Sequence, residues 1–145
     1  MKTITFSKPI KAPVSIVWDT MLGSETYVQW ACEFAEGSYF EGSWAEGEKI
    51  LFLGPDRSGM VSIIAQNLHH QFISIKHIGI VKNGVEDTVS EEASKWAPAY
   101  ENYTFVEKNG KTIVKIEMDI NEEHEEMFSK LWPKALEKLK DLAER

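Results

Sequence analysis

The sequence predicts an α+β fold, a curved antiparallel β-sheet wrapped around a long C-terminal α-helix, with two short helices near the N-terminus. Three observations carry this expectation. Residues 101–120 alternate apolar and polar positions on both sides of Asn109-Gly110, the pattern of a hairpin with a two-residue turn. From about residue 122 to 143 the period changes, and Phe128, Leu131, Trp132, Ala135, Leu136, Leu139 and Leu142 fall on one stripe of an amphipathic helix. Upstream, short β-rich runs are separated by glycine-containing turns. A helix that closes a run of antiparallel strands must bury its stripe on the sheet, and a curved sheet leaves space beneath it.

The elements follow in order. Ile4, Phe6 and Ile10 take alternate positions of a first strand with Pro9 near its end. Pro13 opens a helix at the position where a missing N–H costs nothing, and Val14, Val17, Trp18 and Met21 give that helix an apolar face. Gly23 ends it, and Ser24 is placed to cap a second short helix carrying Tyr27, Val28 and Trp30. Strands are expected over residues 35–44 (broken by Gly37 and Gly42), 49–53, 60–66 and 71–80. Residues 54–59 read as a loop and 67–70 as a turn. Periodicity fades over residues 81–99, where Asn83-Gly84, several acids and Pro98 point to an irregular segment, a candidate lid. The Asn-Gly turn sets Phe105 opposite Val114, Tyr103 opposite Ile116 and Glu101 opposite Met118. That face is apolar apart from Glu101. Asn121 is the expected cap of the last helix, Glu122, Glu123, Glu125 and Glu126 complement its dipole, and Pro133 falls on its polar side, where a kink would bend the helix around the sheet.

At 145 residues the chain fits one domain, residues 1–145, with no linker or repeat dividing it. A net charge of −7 with no basic stripe argues against nucleic acid and against anionic membrane surfaces as partners. The single cysteine, Cys32, allows no internal disulfide and suits a reducing compartment. The N-terminus lacks the apolar core of a signal peptide, and no apolar run is long enough for membrane insertion, so a cytoplasmic location is expected.

Five Trp, seven Phe and four Tyr exceed what a minimal core needs. Trp30, Tyr39, Trp44, Phe52, Trp96, Tyr103 and Trp132 are therefore candidate walls of a ligand site, the alternative being that their rings fill the interior. Glu101, placed inward by the hairpin register, is the sharpest polar candidate: it can hold a ligand's polar group, act as an acid or base, or order the core through a buried donor. His77 shares its strand face with Ile73 and Ile75 and can reach the same space. His69-His70 are neighbours in a turn and point apart, with no further ligand at metal spacing, so no metal site is expected. Cys32 has no activating partner and reads as a small buried side chain. No phosphate loop, dinucleotide fingerprint, calcium loop or nucleophile elbow is present, and no cofactor is expected.

Several pieces taken together resemble a known superfamily: Ile10-Lys11-Ala12-Pro13 leading to Val17-Trp18, Tyr27 to Trp30, Gly42 to Gly47, Gly59-Met60-Val61, Tyr100-Glu101-Asn102-Tyr103-Thr104, Asn109-Gly110-Lys111-Thr112, and Trp132-Pro133-Lys134-Ala135-Leu136-Glu137-Lys138-Leu139. They span nearly the whole chain, and their order carries the resemblance. The chain resembles the SRPBCC superfamily, the START-like or Bet v-allergen-like helix-grip fold, and within it the Aha-type branch named for an activator of the Hsp chaperone ATPase. The resemblance implies a deep cavity between sheet and long helix. It also implies binding of lipids, sterols, polyketides or other apolar molecules, with cyclases and hydrolases among its members.

The leading expectation is a ligand-binding protein, not an enzyme, holding a small apolar or aromatic molecule. Two alternatives stay open. One is a cyclase-, aromatase- or hydrolase-type enzyme using Glu101. The other is a chaperone-binding module, so a protein partner or homodimer also remains open.

Overall fold

The Asn109-Gly110 turn joins β7 (Ala99–Lys108) to β8 (Lys111–Ile120) in a computed structural model that describes all 145 residues. Both turn residues have positive φ, 56° and 76°, as a two-residue turn matched to strand twist requires. The register follows: Phe105 pairs Val114, Tyr103 pairs Ile116 and Glu101 pairs Met118. Ahead of this hairpin lie β1 (Lys2–Ile10), α1 (Val14–Leu22), α2 (Ser24–Ala31), β2 (Tyr39–Gly42), β3 (Lys49–Leu53), β4 (Gly59–Leu68), β5 (Phe72–Lys82), β6 (Val85–Asp87) and α3 (Glu91–Ser94). After it, a 3-10 turn, Glu122–His124, leads into α4 (Glu125–Ala143).

All strand pairs are antiparallel, in the order β1-β8-β7-β5-β4-β3-β2, with β6 beside the end of β5. β7 pairs β5 only as far as Ala99 opposite His77; beyond that point β6 takes over, from Ile80 opposite Asp87 to Lys82 opposite Val85. The two long strands β4 and β5 shift register between Val61 and Ser62 and again between Ile64 and Gln66. Such irregularities increase bend and twist, which lets one sheet curve around a helix. The first shift also leaves Ile78 unpaired and brings Ser62 opposite His77. Gly79 has a steric reason: a Cβ there would lie 2.3 Å from the Asp87 carbonyl oxygen, so only glycine admits the chain that follows β6.

The concave face of the sheet holds the main core. Trp132, Ala135, Leu136, Leu139 and Ala143 of α4 bury their stripe against β1, α1 and α2, where Trp18, Met21 and Trp30 close the side, and Trp132 also meets Tyr103 of β7 and Met118 of β8. Pro133 is exposed, on the polar side as its position predicts. A small second cluster, Leu53, Val61 and Val81 with Tyr39, Leu51 and Ile78 packed on it, lies on the other face.

Several expectations need correction. The strand expected over residues 35–44 is only Tyr39–Gly42, because Gly37 turns the chain at φ 84° and Ser38 N–H bonds the Ala35 carbonyl. Ser24 does not cap α2; Gly23 occupies that position, and the Ser24 residue is the first of the helix. Asn121 makes no side-chain cap: its Nδ2 donates to the Lys95 carbonyl at 3.2 Å, and the first turn beyond it is 3-10. Residues 81–99 contain more structure than their pattern shows, since Asn83-Gly84 forms a second positive-φ turn and Ser90 caps α3 by accepting from Ala93 N–H. Cys32 is exposed, not buried.

Candidate functional site

α2, α4 and the concave sheet do not close completely on one another. A cavity of about 280 Å³ remains, lined by 19 residues of which 14 are hydrophobic. Helical spacing explains the roof: Tyr27, Trp30 and Ala31 share one face of α2, and Phe128 and Trp132 lie one turn apart on α4. Strand alternation explains the floor, where Tyr103 and Glu101 of β7, Met118 of β8 and His77 of β5 all point inward. Trp132 is held by rings on several sides, Phe34 at 4.8 Å, Trp30 and Tyr103 at 6.1 Å and Phe6 at 6.3 Å between centroids.

One polar chain crosses the apolar floor. Ser62 Oγ lies 2.6 Å from His77 Nδ1, and His77 Nε2 lies 3.2 Å from Glu101 Oε1. The Tyr103 hydroxyl donates to the other carboxylate oxygen, Oε2. With Glu101 ionised, its oxygens only accept, so Nε2 of a neutral His77 carries the proton and Ser62 donates to Nδ1. Ser62 is fully buried and off the cavity wall, so it fixes the imidazole and cannot meet a bound molecule.

Burial, and then the nearby Glu101 carboxylate, hold the phenols of Tyr27 and Tyr103 well above the usual tyrosine range. An unfolded tyrosine loses its proton near pH ~10, whereas these two keep theirs when folded, so their contribution is fully present below that pH and is lost above it. Stability should fall by up to about 2.7 kcal/mol per pH unit above pH ~10 from this pair. Urea midpoints across that range check it, and Tyr103→Phe should roughly halve the pair's slope.

Of the residues singled out in the sequence, Trp30, Phe52, His77, Trp96, Glu101, Tyr103 and Trp132 lie on the cavity wall. Tyr39 and Trp44 do not. Tyr39 pairs Leu53 and so faces the second cluster, where its hydroxyl accepts from Arg57, while its neighbour Phe40 takes the inward position. Trp44 follows Gly42 outside any strand and packs behind the wall, on Phe40 and Phe52. Tyr27, Phe34, Met60 and Phe128 are wall residues that the sequence reading passed over. Helical spacing with Trp30 and Trp132 points to Tyr27 and Phe128. Nothing local points to Ser62, whose partner is set by the register shift. His69 and His70 do not point apart as expected: their rings stack at 3.7 Å between centroids and meet the edge of Trp18, a packing role away from the cavity wall.

Solved structures share this architecture over nearly the full chain. Protein MLL2253 from Mesorhizobium loti matches with a TM-score of 0.73 at 12% identity, covering 97% of this chain and 96% of that one. The Aha1 dimer from Colwellia psychrerythraea matches with a TM-score of 0.72 at 14% identity, covering 99% and 97%. CalU16 from Micromonospora echinospora matches with a TM-score of 0.70 at 17% identity, covering 97% and 75%. The chain has the helix-grip fold, a curved antiparallel sheet wrapped around a C-terminal helix, that these structures share. No protein-family model matches the sequence, and no curated protein matches it. At these identities the likeness of this helix-grip domain to its neighbours concerns the fold, and its chemistry must be read from its own cavity. No helix is long and apolar enough to cross a membrane.

Proposed function

We propose that this helix-grip domain binds a small, largely apolar molecule, aromatic or alicyclic, in the cavity between α4 and the sheet. The observation that carries the reading is the unfilled apolar space itself. A dry void of about 280 Å³ would cost on the order of 7 kcal/mol, comparable with the net stability of a whole domain. Water gains little against such walls, whereas an apolar guest recovers the lost contacts. Glu101, with His77 and Tyr103 behind it, would orient the guest's polar group.

Thermal shift and native mass spectrometry against a panel of aromatic and lipid-like molecules test this. Ala31 is a buried wall residue, and Ala31→Phe should fill the space. The expected result is loss of at least ~10-fold in affinity with little change in stability, since the added ring occupies existing volume. Unchanged binding by Ala31→Phe would place the ligand elsewhere.

The hydrogen-bonded set Glu101, His77 and Tyr103 favours a second reading, acid–base chemistry on the bound molecule by Glu101. Turnover of a bound compound that survives Glu101→Gln would remove it. The Aha1 structure is that of a dimer, and self-association of this chain is a further proposal that sedimentation velocity decides. A cytoplasmic location fits the exposed thiol of Cys32.

A further inference from the structure

The polar groups of the cavity specify more than apolar character. Glu101 and Asp119 are the carboxylates on the wall, and no lysine or arginine lines it. Asp119 is already engaged, accepting from the Thr3 hydroxyl at 2.7 Å and from the Tyr100 N–H at 2.9 Å. Glu101 accepts one hydrogen bond at each oxygen, from His77 and from Tyr103. A carboxylate offers about four lone-pair directions, so Glu101 retains acceptor capacity toward the cavity. In an apolar setting that unmet capacity is expensive. Tyr27 lines the same cavity, and its hydroxyl makes no hydrogen bond within the protein.

We propose that the cavity selects apolar molecules carrying a neutral hydroxyl, a phenol or alcohol, and discriminates against carboxylic acids. The inference rests on the cavity being a ligand site. A hydroxyl donates to Glu101 and still offers a lone pair to Tyr27. An ether accepts but cannot donate. A carboxylate cannot donate either, and it brings a third negative charge to a wall that already carries two carboxylates and holds no lysine or arginine. The ranking of hydroxyl over ether and acid follows from the acceptor character of the floor, not from ring size.

Naphthol, its methyl ether and naphthoate share one ring system and differ in a substituent that donates, only accepts, or is anionic. Their affinities near neutral pH are to be read from the indole N–H signals of Trp30 and Trp132 in NMR titrations. Naphthol should bind about 10-fold more tightly than either of the others. Glu101→Gln, which keeps the shape and removes the charge, should raise naphthoate affinity several-fold. Naphthoate binding as well as naphthol, or the ether matching naphthol, would overturn the selectivity while leaving the cavity reading intact. If none of the three perturbs either indole up to its solubility limit, the cavity reading falls and this inference falls with it.

Discussion

Trp132→Ala is expected to lower stability by about 3–5 kcal/mol, the range for removing a large aromatic from a packed interior. Trp132 is 2% exposed and touches four parts of the fold at once: β1 through Phe6, α2 through Trp30, the segment after it through Phe34, and β7 through Tyr103. Its indole N–H also points to the Met118 sulfur at 2.9 Å. The deletion would extend an existing cavity instead of creating an isolated one, so collapse around the missing ring is hindered. A fall in melting temperature of roughly 10–15 °C follows for a chain of this length. Calorimetry checks it, and a loss under about 1 kcal/mol would show that α4 is anchored mainly by Leu136 and Leu139.

Glu101→Leu should have the largest effect at the polar floor. It removes the acceptor for both His77 Nε2 and the Tyr103 hydroxyl. Each orphaned buried donor costs about 1–3 kcal/mol, partly offset because a desolvated carboxylate is also removed. A net loss of roughly 2–4 kcal/mol is expected. The informative measurement is the pair with Tyr103→Phe. If the hydroxyl's need for an acceptor is the cause, adding Tyr103→Phe to Glu101→Leu recovers about 1 kcal/mol or more, although Tyr103→Phe alone destabilises. Strict additivity of the two changes would mean that the hydrogen bond contributes nothing separable. The same variant should lose any preference for hydroxyl-bearing guests.

The inward position of Glu101 was legible because an Asn-Gly turn dictates register, and register dictates face. The stripe of α4 was legible because a 3.6-residue period leaves one side apolar. Tyr39 and Trp44 misled because an aromatic type says nothing about which face of a short, glycine-bounded strand it will occupy. Tyr39 and Phe40 are adjacent, one belongs to each face, and the alternation was obscured by Gly37 and Gly42. Residues 81–99 were unreadable because β6 and α3 are too short to show a period, and β6 exists by pairing with β5.

By itself the sequence determined the elements whose information is local: the closing hairpin, the amphipathic helix after it, the first helix (although Pro13 proves to be its extended N-cap and Val14 its first residue) and the inward face carrying Tyr103 and Glu101. Those features depend on turn chemistry and on side-chain periods within a few residues. Only the tertiary structure decided that Ser62 backs His77, that His77 and Tyr103 converge on one carboxylate, and that a space of about 280 Å³ stays open beside Trp132. Convergence of residues far apart in the chain depends on sheet curvature and on one register shift. A cavity is what packing leaves over, a small difference between the volumes of many side chains and the space their backbones enclose, and no local pattern encodes such a difference.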